Sequence, residues 1–585
     1  MKIPLKEYWQ LFSKYLRPQR PRALLLAFLL LLGIALRVVN PQIIRGFLDS
    51  AQSGASLDQL WIAGGIFLGF ALLVQALSVT SIYVGEVVGW RATNALRADL
   101  ALHALRLDMT FHNDKTPGDM IERIDGDVMD LAIFFSQLVV RVLGNVVLLF
   151  GILIAFALED WRLGVGYLVF CAFVLVLLRR FSAAAEPYWK RARDMHSELY
   201  GFLEERLSGT EDIRSSGAGA YVLKQLYAFG RKMKEAETSA GVRGMLVWMT
   251  FQFAHGLGYM LAIVAGYYLV TTGKATLGTA YLLVYYTDTL FEPLRHLTME
   301  LEHFQKSAAS IARLRELLGR QSKIQPRGTE TIPAGHPLRL IFDAVTFGYA
   351  KDDPVLRDVS FNLAPGKVIG VLGRTGSGKT TLARLIFRLY DVTAGRVCLS
   401  EDGRPGVDIR DLPLADLPAR VGMVTQDVQI FRGSVRQNLT LFDAAIPDDK
   451  VFEVIDDLEL GEWFARQSKG LDTELESGGK GLSAGEAQLL AFARVFLRNP
   501  GLVILDEASS RLDPATERRI EHAIDKLLGD RSRTALIIAH RLSTVQRADE
   551  ILILERGGVV EQGEREALAR DERSRFSRLL RAQAA

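Results

Sequence analysis

An all-α membrane domain of six spans, followed by an α/β phosphate-loop domain, is the architecture that this 585-residue sequence predicts. Three observations predict it. Up to about residue 300 the chain is a succession of apolar runs with few charges, and after about residue 338 its charge density is that of a soluble domain. Residues 373–380 read Gly-Arg-Thr-Gly-Ser-Gly-Lys-Thr between a buried-strand pattern and an amphipathic-helix pattern. Two further strand-like runs, LVILDE (502–507) and TALIIAH (534–540), deliver polar residues at their carboxyl ends.

The composition agrees with a membrane domain. Hydrophobic residues make up 49% and charged residues 23%, with mean hydropathy +0.15, which is apolar for a soluble enzyme. The 70 Lys and Arg nearly balance the 67 Asp and Glu, so the chain has no basic surface for nucleic acid. Cys171 and Cys398 fall in different halves, which excludes a disulfide framework and a CxxC metal site within one chain.

A membrane helix needs about 20 mostly apolar residues. Six stretches meet that need, at about 22–48, 59–85, 132–157, 161–183, 243–271 and 276–300. The first has too long an apolar run for a signal peptide, and no small-residue cleavage site follows it. Basic residues set the orientation. Lys2, Lys6, Lys14, Arg17, Arg20 and Arg22 precede the first span, and Arg91, Arg97, Lys115 and Arg123 lie between the second and third. Arg179, Arg180, Lys190, Arg191 and Arg193 follow the fourth. The alternate loops are nearly bare: residues 49–58 have no Lys or Arg, and the fifth-to-sixth loop has only Lys274. Both termini and the C-terminal domain are therefore expected in the cytoplasm. The polar connections 86–131 and 184–242 have helical patterns, so spans two to five should continue as helices on that side. Residues 3–16 suit a helix lying at the interface or one packed on its neighbours. The Gly- and Pro-rich stretch 319–337 reads as a linker between residues 1–318 and a domain over 338–585.

In the second domain, VIGVLG (368–373) leads into the glycine loop and TTLARLIFRLY (380–390) leads out. Glycines let the backbone approach phosphates closely, so that its N–H groups and the helix N-terminus face them. Gly373, Arg374, Thr375, Gly376, Ser377, Gly378, Lys379, Thr380 and Thr381 are thus the candidate ATP-binding loop, with Lys379 reaching the outer phosphates and the Thr380 hydroxyl ligating Mg²⁺. Asp506 would hold Mg²⁺ and Glu507 would polarise the attacking water, since phosphoryl transfer is mostly positioning and charge stabilisation. His540 would contact the γ-phosphate.

With the order of these motifs, the whole chain resembles an ATP-binding-cassette exporter half-transporter, six spans followed by one cassette. The resemblance implies an ATPase that exports a small-molecule, lipid or peptide substrate across a bacterial inner membrane, with ATP and Mg²⁺ at sites shared between two cassettes. It implies that Tyr349 stacks on adenine and that Gln426 couples Mg²⁺ and γ-phosphate to the membrane domain. It implies that Ser483, Gly485 and Glu486 of LSAGE (482–486) contact ATP on a second cassette, and that Asp513 bridges the two sites. Residues 111–128 and 207–217 are similar to the two cytoplasmic turns that dock onto cassettes.

The chain departs from the family where LSGGQ is usual. Ala484 adds a Cβ near the phosphates, and Glu486 adds a negative charge. At an assumed ~10 Å and an effective dielectric near 20, that charge repels one phosphate charge by roughly 1.5 kcal/mol, partly offset by the helix N-terminus. In paired exporters with unlike subunits, such a chain keeps its catalytic glutamate and lends the altered signature to its partner. A heterodimer is therefore the favoured assembly and a homodimer the alternative. An ATP-gated channel or regulatory subunit, or an importer on the same scaffold, are the competing functions.

Polar residues inside spans cost ~2.5–3.5 kcal/mol each at the bilayer centre and need a reason. Tyr281, Tyr285, Asp288 and Glu292 share one face of the sixth span, Gln252, His255 and Tyr259 share one face of the fifth, and Arg37 with Asn40 marks the first. They read equally as a polar, aromatic-lined substrate cavity or as helix–helix hydrogen bonds and ion pairs, for example Arg37 with Asp288.

Overall fold

Helices that carry the apolar runs continue through the polar connections and so outrun a bilayer. The computed structural model describes residues 13–137, 142–326, 328–350, 353–506, 514–529, 531–539, 542 and 544–584. Its long helices are Arg20–Gln52, Leu57–Leu105, Trp161–Ser208, Gly219–Thr271 and Leu277–Gly319. Three of them, of 49, 48 and 53 residues, are more than twice the length of about 20 that a hydrocarbon core requires.

Among the described residues, Ser13–Gln52, Leu57–Leu105, Trp161–Ser208 and Gly219–Thr271 are long and apolar enough to cross a membrane. The other two expected spans differ. The third is divided between Asp127–Gln137 and Gly144–Glu159, with 138–141 outside the described residues. The sixth lies in Leu277–Gly319, where Tyr281, Tyr285, Tyr286, Asp288 and Glu292 dilute the apolar character. Of the expected interfacial helix, residues 3–12 lie outside the described set. At its end, Lys14 Nζ and the Tyr15 hydroxyl donate to Asp99 Oδ2 at 2.7 and 2.9 Å, so these two residues are packed on a neighbouring helix.

Helix starts are set by N-caps that satisfy otherwise unpaired N–H groups. Asp160 accepts from Arg162 N at 2.8 Å, and Thr276 Oγ1 accepts from Thr279 N at 3.2 Å. Asp49 also accepts from Thr276 Oγ1 at 2.8 Å and from Gly278 N at 2.9 Å. A Cβ on Gly278 would lie 2.5 Å from Arg45 O, so glycine is what lets these helix ends meet. The core between the spans is aromatic. Phe156 stacks on Tyr167 at 4.1 Å between centroids, and the Tyr167 hydroxyl shares a hydrogen bond of 2.7 Å with Thr287 Oγ1.

The chain divides into two compact units, Met1–Leu105 with Pro117–Arg320, and Arg106–Thr116 with Gln321–Ala585. Contiguous domains were expected from the sequence, but residues 106–116 belong with the C-terminal unit. The short helix Met109–Asp114 finds its partners there: Met109 packs against an apolar cluster that includes Leu385 and Tyr390, and Asn113 Nδ2 donates to the Tyr390 hydroxyl at 2.6 Å.

The strands of that unit are β1 Arg339–Phe347, β2 Leu356–Leu363, β3 Val368–Gly373, β4 Ala394–Ser400, β5 Val407–Asp408, β6 Val421–Val424, β7 Gly433–Ser434, β8 Glu474–Leu475, β9 Leu502–Asp506, β10 Thr534–Ile538, β11 Glu550–Glu555 and β12 Gly558–Glu564. One sheet has the order β2-β1-β4-β5; another has the order β12-β11-β3-β10-β9-β6 and is parallel from β11 to β6. β9 and β10 are buried along their whole length because apolar clusters cover both faces. Ile538 pairs with both Val371 and Asp506, and Val424 pairs with Leu505. The carboxyl ends of β3, β10, β9 and β6 thus share one edge, where ligands of open parallel sheets bind.

Candidate functional site

At that edge β3 turns into the glycine loop. Gly376 and Gly378 have φ of 81° and 104°, a region that favours glycine, and a Cβ on Gly378 would lie 2.5 Å from Leu356 Cδ2. The helix Lys379–Ile386 follows at once. Lys379 is 5% exposed, and its Nζ donates to Gly373 O at 2.7 Å and Arg374 O at 3.1 Å, which holds the ammonium over the loop. Ser377 Oγ is buried and has no hydrogen-bond partner among the described residues. Arg374, Thr375, Gly376 and Thr380 are exposed. Thr381 is buried and shares a 3.1 Å hydrogen bond with the Tyr349 hydroxyl, to which Arg384 Nη1 donates at 3.1 Å. The Tyr349 ring stands nearly perpendicular to those of Phe347 and Tyr390 and remains 41% exposed.

An orphaned buried hydroxyl, a pinned ammonium and a helix N-terminus are a donor set that fits the phosphates of ATP. Asp506, buried at the end of β9, and the Thr380 hydroxyl are hard oxygen ligands that fit Mg²⁺. Mg²⁺ is held by one or two protein oxygens together with phosphate oxygens and water, which these two residues suit. Gln426 stands exposed two residues beyond β6. Glu507, Asp513 and His540 lie outside the described residues.

The signature run opens the helix Ala484–Arg498. Ser483 and Glu486 form a reciprocal capping box: Ser483 Oγ accepts from Glu486 N at 3.2 Å, and Glu486 Oε2 accepts from Ser483 N at 2.8 Å. The Ser483 hydroxyl donates to the same carboxylate oxygen at 3.0 Å, and Arg466 Nη2 donates to Glu486 Oε1 at 2.7 Å. The Glu486 carboxylate is therefore turned into its own helix and paired. Ala484 is exposed, whereas a Cβ on Gly485 would run into Thr516 Cγ2. Gly485 thus has a packing reason in addition to any phosphate contact.

Several residues around the site escaped the sequence reading. Arg494, on the signature helix, donates to Gln429 O at 3.0 Å and Asn438 O at 2.8 Å, tying that helix to the segment after Gln426. Burial pushes its guanidinium below the usual arginine range. Asp108 accepts from Thr110 N at 2.9 Å and from Lys323 N at 2.6 Å, joining residues 106–116 to the linker. Burial alone would raise this carboxyl, but the N–H groups of Lys323 and Thr110 hold it below its ordinary value. Asp108, Lys323, Tyr349 and Tyr390 line a cavity of about 270 Å³. Only tertiary pairing reveals these residues; a buried Arg and an Asp before a short helix are weak signals in a sequence.

In the membrane unit the candidate cavity residues separate into two groups. The Tyr259 hydroxyl donates to Asp288 Oδ1 at 2.7 Å, and His255 Nε2 lies 3.3 Å from the same oxygen without hydrogen-bond alignment. The His255 ring sits between Tyr259 and Phe291, and Tyr281 neighbours Tyr285 at 6.2 Å. Arg37 reaches Glu292 at 3.9 Å, not Asp288, the partner suggested by the helical faces. Arg37 and Glu292 line a cavity of about 440 Å³ with Ser78, Ser81, Glu86 and Asn145, which the His255, Tyr259 and Asp288 group does not line.

Comparison with known proteins covers both units. The family model of the ABC transporter transmembrane region matches residues 23–294, and that of the ABC transporter matches residues 356–510. The chain is 30% identical to a fatty acid ABC transporter ATP-binding/permease protein of Mycobacterium bovis, over 81% of this chain and 74% of that one. It is 27% identical to an ATP-dependent lipid A-core flippase of Syntrophus aciditrophicus, over 95% and 91% of the two chains. It is also 27% identical to a multidrug resistance ABC transporter ATP-binding and permease protein of Lactococcus lactis, over 95% and 93%. A solved structure of a bacterial Atm1-family ABC exporter with ATP bound is similar at TM-score 0.78 and 25% identity, with 97% of this chain and 98% of that one covered.

Proposed function

The chain belongs to the ABC transporter family, and from that premise we propose that it is half of a dimeric exporter driven by ATP hydrolysis through alternating access. The observation that carries the ATPase reading is the buried phosphate loop, with Lys379 held over it and Ser377 Oγ unpartnered, on the same sheet edge as Asp506. Lys379 and the loop N–H groups bind the phosphates, and Tyr349 offers its exposed ring to the base. Thr380, Asp506 and Gln426 would hold Mg²⁺, which neutralises phosphate charge. Glu507 orients the attacking water and takes its proton, and His540 positions the γ-phosphate. Ser483, Gly485, Glu486 and Asp513 serve the ATP of a second half-transporter.

Amphipathic lipid- or drug-like molecules are the proposed cargo. The fatty acid, lipid A-core and multidrug relatives support that class, as do the two polar groups among the apolar helices. The altered signature beside a retained Glu507 supports a heterodimer, placed in an inner membrane with the cassette in the cytoplasm. Phosphate release by the full-length protein in lipid vesicles tests the reading. Glu507→Gln should lower turnover by about 10²–10⁴ while ATP still binds. Turnover that ignores this change would remove Glu507 from the mechanism, and full transport-coupled activity from this chain alone would remove the heterodimer.

A further inference from the structure

Glu486 carries a charge that glutamine, usual at that place in the family, lacks. Its carboxylate holds the Ser483 hydroxyl proton at Oε2, 3.0 Å away, and meets Arg466 at Oε1, 2.7 Å away. A serine hydroxyl has one proton to give, so while Glu486 takes it Ser483 offers none to a phosphate. An arriving phosphate would also meet the negative carboxylate beside it. Arg466 answers both difficulties. It stands at the end of the helix Gly461–Ala465, 68% exposed in its side chain, and its guanidinium stays charged with several donors in a fixed fork. Those donors can keep the carboxylate as it turns away from Ser483.

We infer that Arg466 is a positioning residue for the ATP site completed in a second subunit: it neutralises Glu486 and draws it off Ser483, so that the Arg466–Glu486 pair replaces a neutral glutamine. This rests on the reading that the signature run serves a second subunit's ATP. A purely structural role makes a different prediction, since a capping box of serine and glutamate needs no arginine to cap its helix.

The test is a double-mutant cycle on the full-length transporter in lipid vesicles, reading KM for ATP, kcat and the unfolding temperature. Arg466→Ala should raise KM about ten-fold, the cost of one uncompensated charge near ATP. Its kcat should stay within about two-fold, and the unfolding temperature should fall only slightly, because Arg466 itself is exposed and Glu486 keeps its bonds to Ser483. In a Glu486→Gln background the same change should move KM by less than about two-fold, and Arg466→Lys should fall between wild type and Arg466→Ala. A ten-fold rise in both backgrounds, or no rise in the native one, overturns the inference. A wild-type protein that neither binds nor turns over ATP overturns the parent reading together with this one; ATP binding or turnover that ignores Arg466 overturns this one alone.

Discussion

The two parts of the proposed ATP site are built in opposite ways. At 373–380 the functional groups are sunk into the fold: Ser377 and Lys379 are 4% and 5% exposed, and the strands behind them are covered on both faces. At 483–486 Ser483 and Ala484 are exposed at a helix start, Gly485 and most of the Glu486 side chain are covered, and Ser483 and Glu486 already satisfy one another. In the first part the loop carbonyls hold the Lys379 ammonium and Ser377 Oγ lies buried, so on the proposed reading little has to move when ATP arrives. The second, on the same reading, would have to exchange its own hydrogen bonds for those of a ligand carried by another subunit. A buried lysine and an exposed capping box differ in what a mutation removes: a preset charge in one case, a replaceable contact in the other.

Four substitutions can break or sharpen that contrast. Lys379→Ala should have the largest effect, lowering ATP turnover by about 10²–10³, as loss of a preorganised group does, whereas Ser483→Ala should cost about ten-fold. Equal losses, measured by phosphate release, would end the distinction between receptor and exchangeable contact. Gly485→Ala should come next. Alanine gains about 1 kcal/mol of helix propensity, but its Cβ would meet Thr516 across a closed interface, and overpacking of this kind costs about 1–3 kcal/mol. Thermal melts should show a lower unfolding temperature, while Ala484→Gly, at an exposed position of the same helix, should lose no more than about the 1 kcal/mol of helix propensity.

The smallest expected effect comes from Asp108→Asn, with a loss of about 1 kcal/mol as charge-assisted bonds to Lys323 and Thr110 weaken. Its pH dependence has a definite sign. The folded carboxyl lies below its ordinary value of 3.8, so its stabilising contribution is complete above that value and fades as pH falls through the lower folded one. The gap in unfolding temperature between wild type and Asp108→Asn should be constant from about pH 5 to 7 and close only below about 3.8. A gap that closed near neutrality would show that Asp108 is not ionised in the fold.

The local features of this molecule were legible in its sequence. The glycine loop, the buried strands ending in acids and the long helices each declare themselves within a dozen or so residues, because hydrophobic period and glycine placement are local properties. Pairings between distant residues were not. Helical spacing put Asp288 and Glu292 on one face but could not say which of them Arg37 would reach, nor that Tyr259 would occupy Asp288. Glu486 read as an unmatched charge because Arg466, 20 residues earlier, sits in an unremarkable run. By sequence, residues 106–116 fall in the first domain, and although 111–128 are similar to a turn that docks onto cassettes, nothing in their pattern reports a bond from Asn113 to Tyr390.

That last bond bears on the order of synthesis. The cassette unit takes in a segment made more than 200 residues before the linker and strands that complete it. At about 5–20 residues per second, residues 106–116 leave the ribosome at least ten seconds or so before Tyr390 exists to receive Asn113. Until then Met109 has none of the apolar surface it ends against, so the segment waits exposed on the nascent chain. A cassette produced from the linker onward would lack the Met109 contact on this cluster and leave the Tyr390 hydroxyl without the Asn113 donor.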